Sequence, residues 1–263
     1  MKQFPILHIQ RTPEKSREIL EYILGAKKPV GVSCVPALSD KRIRTEKGIV
    51  YGRVYPEENY YTHWAKELIY GARYNSDIIK FQEGDLHFCE GCFEQYEKNG
   101  GRKNKGWPDP WHEGEWYCKH NKNKEKIKKI MLSGKITLGD LFGESEGYCP
   151  PQHYSTKKSR KIAEQIGYKY FLVKNMTNLK SWKEGNMTII PVAKIGEKYS
   201  KVSPAVFAYL DRLADNPQHL EKFYSVLENS VHPDELEISN KPTIKMCLNH
   251  LSIHSAKKLR DKK

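Results

Sequence analysis

No stretch of this chain approaches the roughly eighteen apolar residues that a membrane helix needs. The start, Met1-Lys2-Gln3-Phe4-Pro5, lacks the apolar segment of a secretory leader. Together these absences predict a cytoplasmic chain with no membrane partner. Phosphate-cradling loops are missing as well. There is no Walker A loop and no Gly-x-Gly-x-x-Gly, and Gly167, Gly185 and Gly196 stand isolated. A Gly-x-Ser-x-Gly nucleophile elbow is absent. So are His-Glu-x-x-His and the His-x-Glu…Pro-Cys-x-x-Cys pattern of zinc deaminases. No repeat at solenoid periods is present. Acids are scarce beside bases: 32 Asp and Glu face 45 Lys and Arg, a net charge of +13. That imbalance favours a polyanionic partner, nucleic acid first. A merely solvated lysine-rich surface is the plainer explanation of the same charge.

Cysteines are few and scattered: Cys34, Cys89, Cys92, Cys118, Cys149 and Cys247. In a reducing compartment such spacing suits metal binding or redox work better than a disulfide framework. Aliphatic residues are scarce between positions 84 and 118, which carry six glycines and two prolines. Such a stretch cannot build an ordinary core, and coordination of a metal can order it instead. The pattern His87-Phe88-Cys89-Glu90-Gly91-Cys92, followed by Cys118-Lys119-His120, supplies the donors. Cys89, Cys92, Cys118 and His120 are therefore the expected ligands of a structural Zn2+, with His112 and His87 as spare donors. A thioredoxin-like pair would want a strand-to-helix turn in place of these glycine-rich surroundings. Cys247, His250 and His254 follow i, i+3, i+7 spacing and border an apolar helical stripe. Packing beside a core seam explains them as well as a second metal site does. Cys149 has no neighbours in sequence that assign it.

What is plentiful is aromatic and basic. Fifteen of the 29 aromatic residues fall between Tyr51 and Tyr117. From Arg102 to Lys135 ten Lys and Arg face four acids. Aromatics interleaved with cations have the composition of a groove that stacks bases and tracks phosphates. The expected nucleic-acid contacts are Lys122, Lys126 and Lys129 on one helical side, Trp107 and Trp111 as stacking rings, and the cluster Lys157, Lys158 and Arg160. The tryptophans can equally well pack a metal module.

Punctuation and periodicity place the elements. Thr12-Pro13 opens a helix whose Ile19, Leu20, Ile23 and Leu24 share a face, and Gly25 stops it. Val30 to Val35 reads as a buried strand, and residues 40–56 as a basic, turn-linked strand region. Residues 59–74 read as a helix on Trp64, Leu68 and Ala72. A basic helix is expected over 121–132, ended by Ser133-Gly134, with a separate apolar unit at 136–142. Residues 157–166 read as a helix and 170–174 as a strand. Residues 187–193 read as a strand that Pro191 assigns to an edge or bulge. Ser203-Pro204 and Asn216-Pro217 read as helix starts, and a last helix begins near Thr243.

These elements predict an α+β fold: a mixed sheet with flanking helices, an inserted small zinc-knuckle module and a helical C-terminal part. The expected divisions are an N-terminal α/β part over 1–83, a Cys/His metal-binding and basic-helix module over 84–143, and a C-terminal α+β/helical part over 152–263. The function expected is a zinc-stabilised nucleic-acid-binding protein, with DNA or RNA processing as the setting. One alternative is a metal-dependent nuclease or nucleobase-modifying enzyme with His112, Glu113 or Glu115 near a reactive centre. Another is a nucleotide-metabolising enzyme whose basic surface is incidental.

Overall fold

The computed structural model describes residues 2–36, 42–45, 48–51, 61–84, 98, 124–150, 153, 155–175 and 179–239. The first strand, β1 (Phe4–Ile9), leads into helix α1 (Arg17–Gly25) and strand β2 (Val30–Cys34). A separate antiparallel hairpin, β3 (Arg42–Thr45) and β4 (Gly48–Tyr51), precedes α2 (His63–Gly71) and β5 (Ile78–Glu83). Helix α3 (Lys124–Phe142), β6 (Gly147–Cys149), α4 (Lys157–Ile166) and β7 (Tyr170–Lys174) come next. Strands β8 (Trp182–Glu184), β9 (Met187–Lys194) and β10 (Ala205–Tyr209) then precede α5 (Leu210–Ala214) and α6 (Pro217–Glu228).

The main sheet runs β10-β1-β2-β5-β6-β7-β9, and β9 pairs with β10 to close it. All seven strands are parallel, so the sheet is a barrel wrapped by helices, with β8 appended antiparallel on β9. The expected α+β mixed sheet with an inserted knuckle and a helical C-terminal part is thus corrected to a closed parallel α/β barrel. Strands from the first and third expected segments join in this one sheet. The cause of the misreading is burial on both strand faces. Every residue of β1 is buried, and four of five in β10. Such strands show continuous apolar runs with no period of two. Ser203-Pro204 therefore precedes a strand, Ala205–Tyr209, and not a helix.

Alternation still sorts the side chains once closure is known. Phe4, Ile6, Ile79, Phe81, Tyr170, Leu172, Ile190, Val192, Ala205 and Phe207 fill the barrel interior. The outward residues of β1, β2 and β10 pack on α1, α2, α5 and α6. Those of β6, β7 and β9 pack on α3 and α4. Eight strands leave an interior just wide enough for side chains to fill, and seven leave less. Gly31 and Gly147 make the room. A β-carbon on Gly31 would meet Phe4 and Ile6 at 3.0 Å, and one on Gly147 would overlap the Phe81 ring.

Two further differences have local causes. Helix α3 runs unbroken through Ser133-Gly134. Gly134 permits the helix to lie against Gln82, whose side-chain amide a β-carbon would overlap. Pro191 sits inside a central strand. Its neighbours Thr188 and Val192 turn their backbone groups toward β7, so the ring nitrogen of Pro191 faces the other edge. On that edge β8 pairs with residues 187–189 and β10 with residues 192–194, and among the described residues no strand lies opposite position 191. The missing N–H removes no ladder bond there.

Candidate metal centre at the barrel mouth

In parallel barrels the carboxyl ends of the strands form the face where catalytic groups collect. The inward positions there break the apolar pattern of the layers below. His8 follows Phe4 and Ile6 on β1, Glu83 follows Ile79 and Phe81 on β5, and Cys149 follows Gly147 on β6. Ser33 follows Gly31 on β2, and Tyr209 follows Phe207 on β10. His8, Ser33 and Cys149 are fully buried, and Glu83 is nearly so.

The Glu83 carboxylate organises the floor of the mouth. Its Oε2 lies 2.8 Å from His8 Nδ1 and 3.5 Å from Ser33 Oγ. Gln10 Nε2 donates to Oε1 at 3.3 Å. A carboxylate only accepts, so His8 donates through Nδ1, and Nε2 is the ring nitrogen left for other contacts. Among the described residues His8 Nε2 has no hydrogen-bond partner, and neither has His153 Nε2.

His153 arrives from the turn after β6. Its N–H donates to the Pro150 carbonyl at 2.7 Å, and its φ of 56° is left-handed, an uncommon conformation for a residue with a side chain. The turn swings the ring against Phe207, 4.3 Å between centroids, and edge-on to His8 at 5.1 Å. Burial pushes the His153 pKa well below the usual histidine range. His8 adds to that shift, Glu83 opposes it, and Lys174 lowers it further. The ring is therefore neutral near pH 7 and offers a lone pair. The ligating atoms of His8, Cys149 and His153 all lie within 4.8 Å of one another. Phe207 and Tyr209 pack on the His8 ring at 5.0 and 5.3 Å and form an apolar wall beside it.

The donor set fits a divalent ion. Two desolvated imidazole nitrogens lack partners among the described residues, the Cys149 thiol lies beside the two rings, and a carboxylate orients one of the imidazoles. The described residues thus offer a possible metal site distinct from the one expected from sequence. A separate cleft lies away from this site. A cavity of about 640 Å³, lined by Lys2, Gln3, Asn229, Ser230 and neighbours, sits where β1 begins, and no histidine or cysteine lines it.

The expected zinc ligands Cys89, Cys92, Cys118 and His120 lie outside the described residues, as do Trp107, Trp111 and Lys122. Lys126 belongs to α3, and its side chain is outside them too. Lys129, Lys157 and Lys158 are exposed on α3 and α4. Arg160 is buried, with Nε 2.8 Å from Glu184 Oε2 and Nη1 donating to Ser155 Oγ at 3.0 Å. Its guanidinium is committed to the protein interior, away from any phosphate. His8 and His153 went unread in the sequence. The signal available was a histidine or acid closing an apolar run, together with the Cys149-x3-His153 spacing.

No known protein family matches the sequence, and no curated protein matches it. Solved structures do. A Mycobacterium smegmatis protein described as a polysaccharide deacetylase superposes with a TM-score of 0.50 at 11% identity, over 97% of this chain and 92% of that one. A 4-α-glucanotransferase from Thermococcus litoralis gives a TM-score of 0.52 at 11% identity, over 90% of this chain and 39% of that one. These likenesses, together with a buried polar cluster at the barrel mouth, overturn the nucleic-acid reading. DNA or RNA as partner, and the nuclease and base-modification roles tied to it, are withdrawn. Among the described residues no helix is long and apolar enough to cross a membrane. At 11% identity the likeness concerns architecture: the chain has the closed parallel barrel, ringed by helices, of the polysaccharide deacetylase fold.

Proposed function

We propose that the chain is a metal-assisted hydrolase that removes acyl groups from a carbohydrate at the carboxyl end of the barrel. The carrying observation is the buried His8–Glu83 pair, 2.8 Å apart, beside two unpartnered imidazole nitrogens and the Cys149 thiol. The fold shared with a protein described as a polysaccharide deacetylase supports carbohydrate as the substrate class. His8, Cys149 and His153 would hold a divalent ion, which when bound polarises an ester or amide carbonyl and makes water a nucleophile near neutral pH.

The chain's own residues do the rest. Glu83 keeps the proton on His8 Nδ1 and fixes the ring. Ser33 and Gln10 hold the carboxylate in place. The Phe207 and Tyr209 rings keep water from the inner side of the site, which strengthens electrostatic contacts there. Glycosyl transfer, the activity named for the second neighbour, is less well served. It calls for a pair of carboxyl groups about the scissile bond, and Glu83 is the one buried carboxylate among the described residues.

The test is acetate release from N-acetylated and O-acetylated oligosaccharides by the metal-loaded full-length chain. Release that falls at least tenfold in Glu83→Gln supports the reading. Loaded, folded protein that releases no acetate from either class, or that rearranges glucan oligomers instead, refutes it.

A further inference from the structure

We infer that the barrel mouth holds a thiophilic first-row ion of the zinc class through His8 Nε2, His153 Nε2 and Cys149 Sγ, with Glu83 as a positioning residue and not a ligand. The inference deepens the hydrolase reading, since it names the ion and the role of each residue at that same site.

Distance comes first. Zinc–nitrogen bonds run about 2.0–2.1 Å and zinc–sulfur bonds about 2.3 Å, so ligand atoms on a tetrahedral ion lie roughly 3.3–3.6 Å apart. One ligand atom from each of the three residues already lies within 4.8 Å of the other two. Side-chain rotations on the order of 1 Å suffice to close them on an ion.

Desolvation comes second. Both Nε2 atoms are buried without a partner among the described residues. Buried polar atoms in native proteins are almost always paired, and an uncompensated one costs stability. A cation between them satisfies both lone pairs at once.

The third point is orientation. Ligating histidines commonly donate the other ring N–H to a carboxylate, which fixes tautomer and ring plane. The 2.8 Å contact of His8 Nδ1 with Glu83 is that arrangement. Ser33 and Gln10 occupy the same carboxylate, so Glu83 is already bound from several sides.

Donor chemistry selects the metal. Mg2+ and Ca2+ take oxygen shells. Two imidazoles and a thiolate prefer Zn2+ and its neighbours in the first row. The Cys149 proton would leave to solvent as the thiolate binds. Three protein ligands leave the fourth tetrahedral position open, as in catalytic rather than structural zinc sites.

Cobalt(II) is the probe, because a cobalt–thiolate bond absorbs in the near ultraviolet and d–d bands report four-coordination. The metal-stripped full chain is titrated with Co2+ without substrate, and bound metal is counted by elemental analysis. Variants Cys149→Ala, Cys149→Ser, His153→Ala, Glu83→Gln and Cys89→Ser are compared, each checked for a cooperative melt. Cys149→Ala and His153→Ala should each lose one equivalent of metal, and Cys149→Ala the thiolate band of this site. Cys149→Ser guards against a fold loss in the alanine variant. Glu83→Gln should keep the band and bind Co2+ 10–100-fold more weakly, the range for a lost outer carboxylate. Cys89→Ser should leave this site's band in place. No Co2+ binding, or a band that survives Cys149→Ala and vanishes with Cys89→Ser, overturns the inference. Unchanged affinity in Glu83→Gln overturns the positioning role. A filled site with no acetate release would sink the hydrolase reading alone, whereas acetate release indifferent to chelation and to Cys149→Ala would sink the metal alone.

Discussion

Tyr61→Phe deletes one oxygen atom that ties the two strands flanking the mouth. The Tyr61 hydroxyl donates to the Ile9 carbonyl at 2.7 Å and accepts from the Val35 N–H at 2.9 Å. Ile9 and Val35 are fully buried, and Tyr61 is 4% exposed. Without the oxygen the Val35 N–H loses its partner among the described residues, and an unsatisfied buried donor costs about 1–3 kcal/mol. The bond to Ile9 adds about 1 kcal/mol. A loss of about 2–4 kcal/mol is expected. For a chain of this size 1 kcal/mol moves Tm by about 2–4 °C. The melting temperature should therefore fall by roughly 4–16 °C. Urea unfolding should show a lower midpoint at unchanged slope, because the surface exposed on unfolding is the same. Tyr74→Phe is the control: Tyr74 is 85% exposed and should stay within about 0.5 kcal/mol. A Tyr61→Phe loss no larger than the control's would show that the hydroxyl does not hold β1 to β2.

Burial, opposed by a hydrogen bond with Tyr61 and aided by the Glu83 charge, lifts the Cys34 thiol from its ordinary 9.0 to about 12. The folded state then keeps a proton that the unfolded state loses. That stability is fully present below pH 9 and is lost as pH climbs to about 12, by up to about 1.4 kcal/mol per pH unit. Melts of wild type and Cys34→Ala between pH 8 and 11 should converge as pH rises, and parallel curves would disprove the linkage. Arg160→Met should cost about 2–4 kcal/mol in chemical denaturation, since it strands Glu184 beside Trp182 with its carboxylate three-quarters covered. Lys157→Met, at an exposed position on the same helix, should cost next to nothing, and equal losses would mean the Arg160–Glu184 pair is not the cause.

Local punctuation carried much of the secondary structure. The apolar stripe Ile19, Leu20, Ile23, Leu24 is the buried face of α1. Asn216 does cap α6, accepting from the His219 N–H. Strands β2 and β7 lie where Val30–Val35 and Tyr170–Lys174 placed them. Barrel closure was illegible because it is a relation between distant segments. Nothing near Phe4 announces that it will pair with Ala205. A strand buried on both faces also loses the alternation that marks a half-exposed one. The candidate site failed to show for the same reason. His8, Glu83, Cys149 and His153 come from three separate parts of the sequence, and no spacing rule links them. The conspicuous Cys89-x2-Cys92 drew attention because its donors are neighbours in sequence. Gly134 misled for a subtler reason: a glycine reads as a helix end, and here it serves the close approach of α3 to Gln82.

Pairing of β1 with β10 imposes an order on how this molecule can be made. Phe4 meets Ala205 and His8 meets Tyr209, partners 201 positions apart. Chains emerge at about 5–20 residues per second, so the first barrel strand waits roughly 10–40 s for its neighbour. In that interval one row of its backbone N–H and C=O groups is bare, on an apolar strand that other strand edges can join. Loop closure of this length is slow even after release. The His8 side of the mouth is thus among the last parts to form, and a nascent chain stalled before residue 205 would be competent to aggregate long before it was competent to bind anything.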